Sequence, residues 1–222
     1  MKKLISVFIL SLLFAPLFAQ TEWEKFESQF PDSLVYVAPA FAPGRVYYRN
    51  GEYSNGVFNI AAIDQSLRFK DDEGVILSLL DNASVARVVI GGTLYLHLSN
   101  GYAQVVVQCP EASLCVIKRL VFKKDAKKGG YGVRSETTNI TSVSYASDDL
   151  GSTYNLSSTA EHRRTETVIL YARNRSFTPS RKTFMKLFPD KKDKINSYLS
   201  THHVDFECLD DVRALFSFVK ES

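Results

Sequence analysis

Short apolar runs, each broken by a turn signal, dominate the chain from Arg45 to Phe122. The runs are "RVYYR", "VFNIAAI", "SLRFK", "VILSLL", "ARVVI", "TLYLHL", "YAQVVVQ" and "LCVIKRLVF". They are rich in β-branched and aromatic residues, which suit a pleated, half-buried surface. Between them stand Asn50-Gly51, Asn55-Gly56, Asp72-Glu73-Gly74, Gly91-Gly92 and Asn100-Gly101. Such pairs supply the positive φ of tight hairpin turns. The pattern predicts an antiparallel β-meander over 45–122, either closed like a barrel or split into two packed sheets. Closure leaves no local signature, so both arrangements stay open.

The period changes toward the C-terminus. "TVILYAR" (167–173) reads as one more strand. "SRKTFMKLF" then brings Phe184, Leu187 and Phe188 together at helical spacing, and Pro189 interrupts the ladder. Proline suits the first turn of the next helix, which gathers Ile195, Tyr198 and Leu199. "LDDVRALFSFVKES" places Val212, Leu215, Phe216 and Val219 at i, i+3, i+4 and i+7, with Asp210 and Asp211 at the positive end of the dipole. Two or three amphipathic helices therefore pack on the sheet. The predicted class is α+β, a single domain over 45–222 divided into a meander (45–122), a polar excursion (123–167), and a strand with helices (168–222). The excursion, rich in Ser and Thr and holding "KKGGYG", has too few apolar positions for a core of its own.

Residues 1–19 have two lysines, an apolar stretch from Leu4 to Leu13, and a small residue, Ala19, before the expected cut. That is the layout of a secretory signal peptide, with the mature chain starting at Gln20. Residues 20–44 read as a short helix over "TEWEKFESQF" followed by a linker, "PAFAPG". No later apolar run reaches the ~20 residues of a membrane span. The expected location is outside the cytoplasm, periplasmic or secreted, with no transmembrane segment once the signal is removed.

The segment "GRVYYRNGEYSNGVFNIAAIDQSLRFKDDEGVILSLL", then "VARVVIGGTLYLH", then "FMKLFPDKKDKI", resembles an uncharacterised family of small exported bacterial proteins. The resemblance spans most of 45–219 and rests on turn and packing residues. It implies a β-rich fold with helical C-terminal elements and an envelope or secreted location. It carries no activity and no functional residues.

Charge narrows the partners. Without Lys2 and Lys3 the mature chain has 25 basic and 24 acidic residues, which gives no general case for nucleic acid or an anionic membrane. The local run Lys118, Arg119, Lys123, Lys124, Lys127 and Lys128 reads as a solvated strand end and loop.

Chemistry is sparse. The four histidines, His97, His162, His202 and His203, show no metal-ligand spacing, and there is no nucleophile elbow or cofactor-binding fingerprint, so no cofactor is expected. A cysteine–histidine pair of His97 with Cys109 or Cys115 needs a lowered thiol pKa and a base in contact. The stretch "CPEASLC" (109–115) reads as a hairpin tip with "PEASL" as its turn. If its cysteines face each other, they form either a disulfide worth about 2–3 kcal/mol or a pair of reduced thiols, and a bond from Cys208 to either of them stays open as well. Aromatic residues near turns, Tyr47, Tyr53, Tyr102 and Tyr131, are the candidate ligand contacts. The expectation is a non-catalytic envelope protein that binds a protein, peptide or polymer partner through its loops. The alternative is a hydrolase with a dispersed active site.

Overall fold

A computed structural model describes residues 30–122, 145–147, 153–155 and 162–221. Apart from Phe30, the expected helix over "TEWEKFESQF" lies outside the described residues, as does Tyr131. A single helical turn, α1 (Asp32–Val35), precedes β1 (Ala42–Tyr48), β2 (Tyr53–Ile60), β3 (Leu67–Lys70), β4 (Ile76–Ser78), β5 (Val85–Ile90), β6 (Thr93–Leu98), β7 (Gly101–Gln108) and β8 (Ser113–Phe122). Two short strands, β9 (Tyr145–Ser147) and β10 (Thr153–Asn155), pair with each other inside the polar excursion. Then come β11 (His162–Ala172), β12 (Arg175–Phe177), α2 (Arg181–Leu187), α3 (Lys192–Thr201) and α4 (Leu209–Lys220).

The large sheet has ten strands in the order β12-β11-β8-β7-β6-β5-β1-β2-β3-β4, every pair antiparallel, and it is not closed. The α+β class and the C-terminal helices, three in number, are as the hydrophobic pattern predicts. Because side chains alternate across a strand, the register divides the sheet into two faces. One row runs Val46–Val88–Tyr95–Gln104–Val116–Val168 and looks into the core. The next row, Tyr53–Tyr47–Arg87–Leu96–Ala103–Ile117–Thr167, lies on the opposite face.

The core face is filled twice. Over β8 and β11, the helices bury Phe184, Ile195, Val212, Leu215, Phe216 and Val219 against Leu114, Val168 and Leu170. Phe216 meets both Phe184 and Phe188 edge-on, an arrangement that suits the ring quadrupoles. At the other end the sheet curls, so that residues 61–65, following β2, lie against the end of β8. Leu120 N–H donates to Ala62 O at 2.9 Å. The second cluster fills this curl with Val46, Phe58, Ile60, Leu67, Val88, Tyr95, Tyr102 and Leu120.

Two local readings change. Asn55-Gly56 is not a turn but lies inside β2, facing Arg45 and Gly44. Here glycine serves close approach. A Cβ at Gly44 would sit 2.1 Å from Val89 O, and one at Gly56 2.9 Å from the Phe58 ring. The hairpin turns instead at Asn50-Gly51, where Gly51 has φ +93°. The second change is that β1 begins at Ala42, within the expected linker. The fully buried Asn59 supports the chain just before it: its side-chain oxygen accepts from Ala38 N–H at 3.1 Å and its amide donates to Ala38 O at 3.2 Å.

Candidate functional site

The curl of the sheet brings four connections together at one end of β1, β5, β6 and β7. They are the stretch after β1, residues 61–66, the 3-10 turn Asn82–Ser84, and the β6–β7 turn. They enclose an open cleft of about 400 Å³ whose lining includes Arg49, Asp64, Gln65, Asn82, His97 and Arg119.

The floor is a buried hydrogen-bonded lattice. Gln65, in the left-handed region at φ +58°, turns its amide inward. Its Oε1 accepts from Tyr102 N–H at 3.1 Å, and its Nε2 donates to Lys118 O at 2.9 Å and Ala62 O at 3.2 Å. Gly101, at φ +111°, makes room: a Cβ there would lie 2.5 Å from Gln65 Oε1. Asn82 donates to Gln65 O at 3.1 Å and accepts the Tyr102 hydroxyl at 2.7 Å. The His97 ring stacks on Tyr102 with centroids 4.6 Å apart. His97 Nδ1 lies 3.0 Å from Val85 O; a carbonyl only accepts, so Nδ1 carries the proton. Burial pushes the Tyr102 hydroxyl far above the usual tyrosine range, against a smaller lowering by Arg49. Tyr102 stays neutral.

The walls carry charge. Asp64 is held by Arg68 at 3.0 Å, and the guanidinium of Arg68 also reaches Ser66 Oγ. Arg68 is 2% exposed, so this pair is internal and self-compensated. Arg49 donates from Nε to Ala83 O at 3.0 Å, and Arg119 donates to Asn100 O. Neither forms an ion pair among the described residues. A guanidinium fixed by one carbonyl keeps further N–H groups to receive a carboxylate or phosphate.

The residues singled out in the sequence separate. Tyr102 is fully buried, so it supports the cleft rather than contacting a ligand. Tyr47 and Tyr53 lie on the opposite face of the sheet, each beneath an arginine: Arg87 is 4.6 Å from the Tyr47 centroid and Arg45 is 4.5 Å from that of Tyr53. Cys109, Cys115 and Cys208 are separate thiols. The β7–β8 hairpin closes tightly around Pro110-Glu111, with Cys109 N–H donating to Ala112 O. Val107 therefore faces Leu114, and a bulge between Val105 and Val107 then sets Val105 opposite Cys115. The facing of Cys109 with Cys115 required a wider, five-residue turn. Cys109 packs with the helices while Cys115 belongs to a small cluster on the far face. His97 shares the core-face alignment of Tyr102, so it does not meet Cys115. Burial raises Cys115 to about 12 and also raises Cys109, the reverse of an activated thiolate. His202 stacks on Tyr198 at 4.2 Å.

Gln65 and Arg49 carried no motif, and Asn82 stood only in an Asn-x-Ser sequon, Asn82-Ala83-Ser84. The sequence signals near them were the turn pairs Asn50-Gly51, beside Arg49, and Asn100-Gly101. Comparison with protein-family models, curated proteins and solved structures finds no match.

Proposed function

We propose that the chain is an exported, non-catalytic binding protein of the cell envelope, and that the cleft at the strand ends seats an anionic group of its ligand. The observation that carries this reading is the pair Arg49 and Arg119. Both border one cleft, each is anchored by a backbone carbonyl, and neither has a carboxylate partner among the described residues. The acid in its lining, Asp64, is already bonded to Arg68, so the cleft is net positive. The floor beneath is satisfied internally, which supports rigid recognition rather than proton transfer. Preorganised donors bind with less loss of entropy.

The test is a thermal-shift titration of the mature chain with phosphate, sulfate and citrate, alongside Arg49→Gln and Arg119→Gln. Stabilisation by at least one anion beyond a chloride control, lost in both variants, is expected. Equal shifts in wild type and variants would overturn the reading. Recovery of the protein from the envelope fraction with Gln20 at its N-terminus tests the exported location.

A further inference from the structure

The overall charge balance conceals a segregation. The ten strands of the large sheet hold nine basic residues, Arg45, Arg68, Lys70, Arg87, Lys118, Arg119, Arg163, Arg164 and Arg175, and one acid, Glu166. The other acids among the described residues sit in turns, loops and helices, where several serve the backbone. Asp71, for example, accepts from the N–H groups of Glu73 and Val75 in its own turn.

On the face turned away from the core, three of these cations form a line. The register across β5–β1–β2–β3 gives successive rows: Arg87–Tyr47–Tyr53, then Val89–Arg45–Asn55, then Pro43–Val57–Lys70. Arg87, Arg45 and Lys70 therefore advance one row each, diagonally over the sheet. Each rests on an aromatic ring: Arg87 on Tyr47 at 4.6 Å, Arg45 on Tyr53 at 4.5 Å, and Lys70 on Phe41 at 5.0 Å. From strand spacing and rise, the line runs for roughly 20 Å. All three cations are exposed. None forms an ion pair among the described residues. Arg45 uses its Nε on Asn55 Oδ1 at 2.8 Å, which fixes the fork and leaves its outer edge.

We propose that this diagonal is a binding track for an acidic polysaccharide. It is separate from the cleft and goes beyond the reading given for it. Three cations in line, none of them in an ion pair among the described residues, match a chain that repeats carboxylate or sulfate groups along an extended backbone. A guanidinium stacked on a ring is held in place with its N–H edge outward, so little freedom is lost when an anion arrives. Single-stranded nucleic acid would need open aromatic planes for its bases. Here Tyr47 and Tyr53 each carry a guanidinium on one face and are tilted by 45° to each other. That arrangement reads anionic groups, not bases.

The experiment measures binding of the mature chain to immobilised polygalacturonate, with neutral dextran and single-stranded DNA as comparison probes, at 50 and 200 mM salt. Expected are salt-sensitive binding to polygalacturonate, none to dextran, and weaker binding to DNA. Arg45→Gln/Arg87→Gln should weaken polygalacturonate binding at least tenfold. Lys70→Gln, a milder change, should weaken it about threefold. Arg49→Gln/Arg119→Gln should leave it within about twofold, so failure of the cleft reading and failure of this one are distinguishable. Unchanged binding in the track variants, equal binding to dextran, or tighter binding to DNA overturns the proposal.

Discussion

Gln65→Leu removes three hydrogen bonds from the floor of the cleft while keeping nearly the same side-chain volume. The lost partners are Tyr102 N–H, Lys118 O and Ala62 O, at 3.1, 2.9 and 3.2 Å. The backbone bonds of residue 65 persist, with its N–H on Ala61 O and its carbonyl on Asn82. Both residues carry a Cβ, so the left-handed φ costs each about the same. The change therefore isolates the side-chain amide. A net bond contributes about 1 kcal/mol, and a buried donor left unsatisfied costs about 1–3. Gln65 is 3% exposed, so water cannot easily replace the amide. The expected loss is about 3–4 kcal/mol, read from urea denaturation of the mature chain. For a chain of this length that lowers Tm by roughly 6–16 °C. Gln108→Leu, the same chemical change at an exposed position, should stay within about 0.5 kcal/mol. A loss below about 1 kcal/mol for Gln65→Leu would refute the reasoning, because the amide would then not be holding the curl of the sheet against β8.

Two further outcomes follow from buried groups. In native protein a thiol reagent should label the exposed Cys208 first, Cys109 more slowly, and the fully buried Cys115 only after denaturation; rapid labelling of Cys115 would contradict its position. Burial raises Cys115, Tyr102 and Tyr95 above their ordinary values, so the folded state holds protons that the unfolded state releases. Their contribution is complete below about pH 9 and is lost as pH rises from there through the folded values. The urea midpoint should fall between pH 9 and 11, and Cys115→Ala should flatten that fall; an unchanged slope would oppose it.

The sequence by itself determined the parts of the molecule that depend on nearest neighbours. Alternating apolar runs became strands, and Val212, Leu215, Phe216 and Val219 became one buried helix face. Asn50-Gly51 and Asn100-Gly101 became turns because the left-handed region costs glycine little. Where the local signal had two uses it misled. Gly56 allows close packing as readily as it allows a turn, and only its position opposite Gly44 decides between them.

Tertiary structure decided what is brought together. Gln65 and Tyr102 are 37 residues apart and meet only because the sheet curls. A tight turn at Pro110-Glu111, rather than a wider one, sent Cys109 and Cys115 to different faces. Register has a period of two, so a one-residue difference moves a side chain through the sheet. The same rule gathers Arg87, Arg45 and Lys70 on one face of a chain whose charges nearly balance. Net charge is a sum over residues, whereas a surface field depends on which strand faces which. That pairing is set by long-range burial and backbone hydrogen bonding.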